Sequence, residues 1–362
     1  MGSAPSRHSG YDQVKRLRHN RAKGARSAAS GSVTMDDIAR AANVSKATVS
    51  RALEGSPLVK PATMERIVAV ARKHGYTVNR NAQKLWRKRT NTIAVVLNIS
   101  PGSGKSISAA FLFQLLADVA QFLGHLNQDV LLSLPNVEDV ATYQSMLASK
   151  RADGIIFLGQ GPGGGWLADL ARTQAPFVVW GSPADPPSYC TVGSDNRRGG
   201  YLVGQRFAEM GRRRILFVGN RKHLELEQRR LGLEEALKAK GERRAIIDLD
   251  VPDFSYETSY KESKAWLAAQ SAMPDAVFAI SDLVAIGVMA ALRDAKLRIP
   301  EDVSVIGYND TPYAAHLSPS LTTVRQDTQQ AGSLLVGKLF QILDGGKPAS
   351  VLLPTELIVR ES

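Results

Sequence analysis

The chain has 362 residues, 44% of them hydrophobic, and a formal net charge of +12. This length predicts two or three domains, and no apolar run of the sequence approaches the ~20 residues of a membrane span. Because Cys190 is its one cysteine, the chain cannot form an internal disulfide, and its first residues lack the apolar core of a signal peptide. We therefore expect a globular cytoplasmic protein that does not insert into a membrane.

The positive charge is concentrated in the N-terminal quarter of the chain. Residues 1–90 contain 19 Lys and Arg against 5 Asp and Glu, which is a net charge of +14, and the remaining 272 residues carry −2. Clustered positive charge binds phosphates because it releases their counterions, whereas attachment to lipid also needs a wide apolar face that these segments lack. Nucleic acid is therefore the expected partner.

Residues 1–32 begin this basic quarter and are rich in Gly, Ser, Ala and Arg. Such a composition cannot bury a hydrophobic core, so we predict a disordered basic arm. Two interpretations of the arm are open: it adds non-specific attraction to DNA, or it is a solvated tail without a role of its own.

The segment from Val33 to Leu53 has the pattern of two short helices joined by a tight turn. Thr34 and Ser45 are good N-caps for the two helices, and Asn43 between them tolerates the left-handed conformation that such a turn often needs. The outer face of the second helix is small and basic, with Lys46, Ala47, Ser50 and Arg51. This pattern indicates a helix-turn-helix whose second helix enters a major groove; a generic helical hairpin is the alternative.

A third helix, from Pro61 to about Gly75, completes this head over residues 33–78. Asn79 can then cap a helix of about two turns within residues 79–90, and so short a helix is marginal in water unless it packs on a partner. Leu85 is an apolar side chain in this very basic segment. It either wedges into a minor groove, which makes the segment a hinge helix, or packs on the next domain as part of an ordinary linker.

From Thr92 onward, apolar strand-like runs alternate with helical patterns. Such alternation predicts parallel sheets of βαβ units, and it occurs in two successive sets of four or five strands that meet near Asp195. The predicted fold class is therefore an α/β core of two doubly wound parallel-sheet subdomains, preceded by a small all-α head and a hinge helix. Because ligands in such sheets bind beyond the carboxyl ends of the strands, the cleft between the subdomains is the expected binding site.

Two glycine-rich stretches imitate nucleotide-binding loops. Residues 159–164 match G-x-G-x-x-G between a strand and a helix, but the next strand ends in Trp180 and Gly181 rather than in an acid for a ribose. Residues 102–106 lack the first glycine of a P-loop. The six histidines show no metal-ligand spacing, and no nucleophile–base pair emerges. We therefore predict no cofactor, no metal site and no catalytic residue.

A family resemblance is carried by a long, spaced pattern of residues. In the head it comprises Thr34, Asp37, Ile38, Ala39, Ala42, Val44, Ser45, Thr48–Arg51, Gly75, Tyr76 and Asn79. In the core it comprises Asp195, Asn196, Gly199, Met210, Gly211, Ile215, Arg229, Gly232, Ser281, Asp282, Ala285–Gly287, Ile299–Tyr308 and Leu321–Val324. With these residues in this order, the chain resembles the LacI/GalR family of bacterial transcription regulators from Val33 to Glu361.

The resemblance implies which residues contact DNA. Lys46, Ala47 and Arg51 fall on the base-reading positions of the recognition helix, and Arg pairs well with the guanine edge in the major groove. Leu85 falls on the hinge position whose leucines intercalate at the operator centre. The implied DNA-binding residues are Thr34, Ser45, Lys46, Ala47, Thr48, Ser50, Arg51, Asn79, Ala82 and Leu85.

The resemblance also implies a small-molecule site in a core similar to periplasmic binding proteins. Arg229 falls on the family's effector-gripping arginine, whose planar fork suits sugar hydroxyls or a carboxylate. Asn309 stands where the family usually has Asp, so hydrogen bonding is kept and one possible charge is lost. Two aromatic residues join the candidates because they follow strands, with core packing as their alternative. The candidate effector-binding residues are Arg229, Phe254, Ser281, Asp282, Asn309, Asp310, Trp180 and Phe111.

As a whole, the resemblance implies a homodimeric repressor that binds a palindromic operator in double-stranded DNA. A small-molecule effector, a mono- or disaccharide, is expected to control it, and both induction and co-repression occur in the family. The first core subdomain takes residues 91–192 and 327–344, and the second takes residues 193–326 and 345–362. A purine-responsive regulator, a sugar-binding protein without a role on DNA and a nucleotide-dependent enzyme are the alternatives.

Overall fold

The structure, a computed structural model, describes residues 33–53, 56, 58–76, 89–97, 110–133, 139–161, 165–183, 187–220, 223–239 and 244–362. These residues divide into two units, one within residues 33–76 and one from residue 89 to the C-terminus. The predicted arm and the predicted hinge residues Asn79, Ala82 and Leu85 lie outside the described residues. In the described parts of the chain, no helix is both long and apolar enough to cross a membrane.

The small unit is a head of three short helices. They are α1 (Met35–Ala41), α2 (Lys46–Leu53) and α3 (Pro61–Lys73). Ile38, Val49 and Ile67, one from each helix, are fully buried against one another in a core that otherwise contains mainly alanines. So small a core supplies little stabilisation, since burial of one large aliphatic side chain contributes only about 1.5–3 kcal/mol.

Local hydrogen bonds define where the first two helices of the head begin and end. Helix α1 starts with a capping box, in which the Thr34 hydroxyl accepts from the Asp37 N–H and the Asp37 carboxylate accepts from the Thr34 N–H. Ser45 Oγ accepts from the Thr48 N–H at 3.1 Å and so begins α2. Between them Asn43 has a φ of 51°, a conformation that Asn tolerates. The predicted helix-turn-helix is therefore confirmed.

The large unit is built on two parallel sheets. The first contains β1 (Thr92–Leu97), β2 (Asp129–Ser133), β3 (Gly154–Leu158), β4 (Phe177–Trp180), β5 (Thr191–Ser194) and β11 (Val351–Leu353). The second contains β6 (Arg214–Val218), β7 (Ala245–Leu249), β8 (Ala276–Ala279), β9 (Ser304–Asn309), β10 (Thr322–Arg325) and β12 (Glu356–Ile358). The helices between the strands are α4 (Ala110–His125), α5 (Val140–Ala148), α6 (Gly165–Arg172), α7 (Asn196–Glu209), α8 (Leu224–Ala239), α9 (Tyr256–Ala268), α10 (Asp282–Asp294) and α11 (Thr328–Leu343), with a 3₁₀-helix at Pro312–His316.

The two sheets have the same strand order, which also indicates where a ligand would bind. Their strand orders are β11-β5-β4-β3-β1-β2 and β12-β10-β9-β8-β6-β7, and every pair is parallel except β10 with β12. In each sheet the order reverses between the first and third strands of its set, β1 beside β3 and β6 beside β8. Ligands bind at such a switch point, beyond the carboxyl ends of the strands. The predicted fold class is confirmed.

The strand count and the subdomain boundaries differ from the prediction. Within the described residues each sheet has six strands rather than four or five, because β5, β10, β11 and β12 are only three or four residues long and leave no periodic pattern. Residues 351–353 pair with residues 192–194 in the first sheet. The boundaries predicted after residues 192 and 344 therefore fall too early, and only the last strand, β12, returns to the second sheet.

Helices α7 and α8 cross closely because each presents a glycine to the backbone of the other. A Cβ atom on Gly200 would overlap the carbonyl oxygen of Arg229, and a Cβ atom on Gly232 would overlap the carbonyl oxygen of Arg197. Since both obstructing atoms belong to the main chain, no side-chain rotation can relieve the overlap. This crossing fixes the position of Arg229, which lies on α8 at the carboxyl end of the second sheet.

We predict that Gly232→Ala lowers the free energy of unfolding of the large unit by about 1–3 kcal/mol, the usual cost of overpacking a filled core. The measurement is urea denaturation followed by circular dichroism. Gly337→Ala on α11 is the matched control, because a Cβ atom there meets nothing within 4 Å. Exchange of this helical glycine should raise the unfolding free energy by roughly 0.5–1 kcal/mol. Equal effects of the two substitutions would contradict the close crossing.

Candidate functional site

The head presents a helix face that is exposed and carries no large apolar side chain. In α2, Val49 and Ala52 point into the core, whereas Lys46, Ala47 and Arg51 are exposed. Ser45, just before the helix, is exposed as well, and Thr48 and Ser50 are partly buried at the edge of the face. The structure thus brings the six predicted DNA-binding residues of this segment together on one side of the head.

Lys46 and Thr34, both predicted DNA contacts, interact with carboxylates within the head. Lys46 Nζ lies 2.8 Å from the Asp36 carboxylate on α1, although both side chains are largely exposed. The Thr34 hydroxyl donates to Asp37 Oδ2 at 2.6 Å, and this hydrogen bond is the main reason why the pKa of Asp37 lies below its ordinary value. A phosphate or a base has to compete with these interactions, and an exposed ion pair is weak enough to be displaced.

The large unit contains a cavity of about 230 Å³ beyond the carboxyl ends of both sheets. Six of the eight predicted effector-binding residues line it: Phe111, Trp180, Arg229, Phe254, Ser281 and Asn309. The first two belong to the side of the first sheet, and the other four belong to the side of the second. The predicted location in the cleft between the two sheets therefore agrees with the geometry.

Arg229 is the most constrained group at the cavity wall. Its Nε donates to Asn196 Oδ1 at 2.8 Å, its Nη1 donates to the Ile280 carbonyl at 2.6 Å, and its Cζ lies 3.5 Å from the centre of the Tyr308 ring. Burial lowers the pKa of Arg229, with 7% of the residue exposed, but a guanidinium remains protonated in proteins. These hydrogen bonds use Nε and Nη1, and Arg229 is one of the residues that line the cavity.

Aromatic rings lie on opposite sides of the cavity. Phe111 and Trp180 form one wall, with ring centres 5.8 Å apart. Phe254 lies on the other side, where its ring is 5.9 Å from the ring of His223. Apolar walls with a few fixed polar groups are typical of small-molecule sites.

Asp282 is buried beneath the cavity and does not line it. Its carboxylate accepts hydrogen bonds from the N–H and the hydroxyl of Thr311, both at 2.7 Å, and from the hydroxyl of Thr323 at 2.5 Å. Burial raises its pKa to about 6 despite these hydrogen bonds. The side chain ties α10 to the loop after β9. Its neighbour Ser281 does line the cavity, and its hydroxyl caps α10 by accepting from the Val284 N–H at 3.2 Å.

Asp310 also lies outside the cavity lining, although Asn309 beside it is part of that lining. The Asp310 carboxylate is almost fully buried and forms ion pairs with Arg325 and Arg360. Asn309, at the end of its strand, lines the cavity as expected for a candidate effector-binding residue. For Asp310 the chain direction has already changed, so its carboxylate turns toward the neighbouring strand and the C-terminal segment.

Eight polar residues that line the cavity were not among the predicted effector-binding residues: Gln160, Ser194, Asn196, Asn220, His223, Glu225, Asp253 and Gln326. All of them lie at the end of a strand or within seven residues after one, where sequence alone shows no preferred direction for a side chain. Burial alone would raise the pKa of Asp253, but hydrogen bonds from Ser255 and Thr258 outweigh it and lower this pKa. The carboxylate of Asp253 is therefore ionised at neutral pH.

Gln160 occupies the turn that imitates a dinucleotide-binding loop. Its Nε2 donates to the Ser182 carbonyl at 2.8 Å and to the Tyr189 hydroxyl at 3.0 Å, and its Oε1 accepts from the Ser182 N–H. The flanking Gly159 and Gly161 have φ values of 102° and 71°, which glycine adopts readily. The glycines thus allow the chain to turn at the end of β3, and Gln160 fixes this turn against the next loop.

Comparison with known proteins agrees with both parts of this description. Residues 34–79 match the family described as bacterial regulatory proteins, lacI family, and residues 205–362 match the periplasmic binding protein-like domain. The chain is 32% identical over 337 residues to the HTH-type transcriptional regulator CelR of Thermobifida fusca, a match that covers 91% of this chain and 98% of CelR. It is 28% identical over 342 residues to the probable HTH-type transcriptional repressor ExuR of Bacillus subtilis, covering 91% and 98%.

Two solved structures extend the similarity over the whole fold. The complex of CelR with cellobiose matches 91% of this chain and 99% of its own, with a TM-score of 0.66 and 30% identity. The Lac repressor dimer bound to operator and the anti-inducer ONPF matches 91% and 98%, with a TM-score of 0.79; at 24% identity it shows the shared fold. The relatives named here are transcription regulators. The chain therefore belongs to the LacI family of bacterial transcription regulators.

Proposed function

We propose that the protein is a sequence-specific transcriptional repressor of the cytoplasm. As a homodimer it binds a palindromic operator in double-stranded DNA through two heads, and a neutral sugar in the cavity controls its affinity for that operator. It binds this sugar without chemically changing it. The observation that supports this proposal most directly is the cavity itself, where aromatic walls and a buried Arg229 meet between two sheets that follow a DNA-binding head.

Operator recognition is assigned to the exposed face of α2. Arg51 and Lys46 supply donors for base edges, and the hydroxyl groups of Ser45 and Thr48 supply donors for phosphates. One head is small and offers few contacts, so two heads at a fixed spacing are needed for useful affinity and for reading a palindrome. Residues 1–32, as a basic arm, and residues 79–90, as a hinge that carries Leu85, add contacts to the DNA backbone and the minor groove in this proposal.

The charges at the cavity favour a neutral ligand over an anionic one. Among the described residues that line it, Arg229 is the cation that is always charged, whereas Glu225 and Asp253 are carboxylates. Three sides of the Arg229 guanidinium are already occupied, so it cannot grip a carboxylate or a phosphate with its whole fork. The two carboxylates repel a sugar phosphate or a uronate, but they accept hydrogen bonds from sugar hydroxyl groups.

The shape of the cavity is suited to a mono- or disaccharide. Aromatic rings on opposite sides pack on the apolar faces of a sugar ring, while Asn309, Arg229 and the carboxylates bind its hydroxyl groups. The volume of about 230 Å³ lies below the range of roughly 300–1,000 Å³ that is usual for drug-sized ligands, so a monosaccharide fits this cavity more easily than a disaccharide does. Because a relative, CelR, has been solved with cellobiose, cellobiose is the first sugar to test. A purine is the second candidate, since Phe111, Trp180 and Phe254 can also stack on a flat base.

We predict that Arg51→Ala weakens binding to the operator by about 1–3 kcal/mol, the discrimination given by one good bidentate contact to a base. Binding to random DNA should fall much less, because only a charge is lost there. The measurement is fluorescence anisotropy with a palindrome selected by the protein from a random library and with a scrambled duplex. Arg72→Ala, on α3, is the matched control. Equal losses on the two duplexes would contradict a base-reading role for Arg51.

We predict that Arg229→Ala abolishes the response of operator binding to cellobiose while the binding itself is retained. The guanidinium edge at the cavity is lost, whereas the head is unaltered. The neighbouring Arg230→Ala is the matched control, because Arg230 pairs with Asp248 and Glu234 instead of lining the cavity. Titration calorimetry with cellobiose reports the affinity for the sugar. If Arg229→Ala binds and responds to cellobiose like the unaltered protein, its assigned role is wrong.

A further inference from the structure

We infer that Asp310 is a positioning residue for the sugar site: it holds Asn309 in the conformation that binds the effector and connects this residue to the chain segment that crosses between the two sheets. The inference rests on the proposed sugar-binding function of the cavity. It assigns a role to an ion-pair cluster that does not itself line the cavity, formed by the buried Asp310 with Arg325 and Arg360.

The backbone at this point adopts a conformation that its residues rarely choose. Asn309 has a φ of 110° and Asp310 has a φ of 52°. Two consecutive positive φ values outside glycine are unfavourable and persist only where surrounding contacts enforce them. Some interaction must therefore hold Asn309 and Asp310 in this conformation. Because Asn309 lines the cavity, this interaction also fixes part of the cavity wall.

The buried carboxylate of Asp310 supplies that interaction from two sides. Its Oδ2 accepts from Arg325 Nε at 2.7 Å, and its Oδ1 accepts from Arg360 Nη2 at 2.6 Å. Arg360 is fixed in turn, because its Nη1 donates to the Leu321 carbonyl at 2.7 Å. The Asp310 side chain is only 8% exposed, so its charge requires both partners. An ion pair of this kind fixes geometry even where its net contribution to stability is small.

A second hydrogen bond runs parallel to this cluster and reaches the cavity. Gln326 Nε2 donates to Asn309 Oδ1 at 2.7 Å. With its oxygen engaged, Asn309 presents its Nδ2 as a donor, in contrast to the carboxylate that is usual at this position in the family. The hydrogen bond thus decides which hydroxyl pattern the cavity accepts, and it exists only while Asn309 keeps its unusual backbone conformation.

Arg325 and Gln326, which bind Asp310 and Asn309, are consecutive residues at the point where the chain leaves the second sheet. Arg325 is the last residue of β10 and pairs in register with Asn309 of β9. After Gln326 the chain caps α11 with Asp327, and α11 packs on the first sheet through residues such as Leu335 and Leu339. A ligand bound to Asn309 is therefore one hydrogen bond away from a segment that joins the two sheets.

The test is a double-mutant cycle in the full-length protein, with cellobiose as the titrant in calorimetry. Asp310→Asn keeps the volume and removes the charge, and it should weaken cellobiose binding about tenfold (about 1.4 kcal/mol). Asn309→Gly removes the positioned side chain and tolerates the positive φ. In the Asn309→Gly background, Asp310→Asn should cost no further affinity, because nothing is left to position. An equal loss in both backgrounds would overturn the inference and leave Asp310 a purely structural role.

Two further variants guard against an effect of stability alone. Asp302→Asn is the matched control, since Asp302 pairs with Arg298 in a turn of the same unit and neither residue lines the cavity; it should leave cellobiose affinity unchanged. Arg325→Gln removes one side of the cluster from a half-exposed position, so it remains usable if Asp310→Asn does not fold. It should weaken cellobiose binding less than tenfold and show the same dependence on Asn309; independence from Asn309 would count against the inference.

A measurement without ligand tests the positioning role of Asp310 independently of the proposed sugar. If the unaltered protein binds no cellobiose, the proposed effector is wrong, and crystal structures of the ligand-free variants then decide the role of Asp310. In Asp310→Asn, Asn309 should leave the positive-φ region and lose its hydrogen bond to Gln326. An Asn309 that keeps both features without the Asp310 charge would overturn the inference.

Discussion

The close crossing of α7 and α8 is the constraint on which the effector site depends. Because Gly200 lies against the Arg229 carbonyl and Gly232 lies against the Arg197 carbonyl, the two helices have one relative position. That position places the Arg229 guanidinium over Tyr308 and within reach of Asn196 and the Ile280 carbonyl. A buried guanidinium without these partners would be very unfavourable. The backbone packing of the two helices therefore determines which polar group the second sheet contributes to the cavity.

Asp282 follows the same logic, because this buried charge is held in place beside a residue that lines the cavity. Asp282 ties α10 to Thr311 and Thr323 and leaves Ser281 at the cavity. Control of DNA binding requires that ligand occupancy favour one arrangement of the two sheets over another. The connection from Asn309 to Gln326 provides a physical route for that preference, because the chain passes there from one sheet to the other.

Most of the fold could be predicted from the sequence, but only six of the 22 residues that line the cavity were among the predicted effector-binding residues. Long apolar strands such as β1 and β3 can be predicted from their runs of apolar residues. The helix that begins after Thr34 can be predicted from its capping residues. Strands of three or four residues, such as β11, have no recognisable sequence pattern and are defined only by the strands with which they pair. The subdomain boundaries predicted after residues 192 and 344 are therefore misplaced. Among the site residues, Arg229 was found through the resemblance. Glu225 and Gln326 were missed, and Asp282 and Asp310 were assigned to the ligand, because side-chain direction after a strand is set by tertiary contacts.

The central claim is that one free energy links the cavity to the operator. Linkage requires that cellobiose change the affinity for the operator by the same factor by which the operator changes the affinity for cellobiose. The direct test measures both dissociation constants with and without the other ligand, on the full-length protein and at one salt concentration. We predict equal factors of about tenfold or more, within the 5–150-fold range usual for allosteric coupling. Tight binding of cellobiose that leaves the affinity for the operator unchanged would contradict the account.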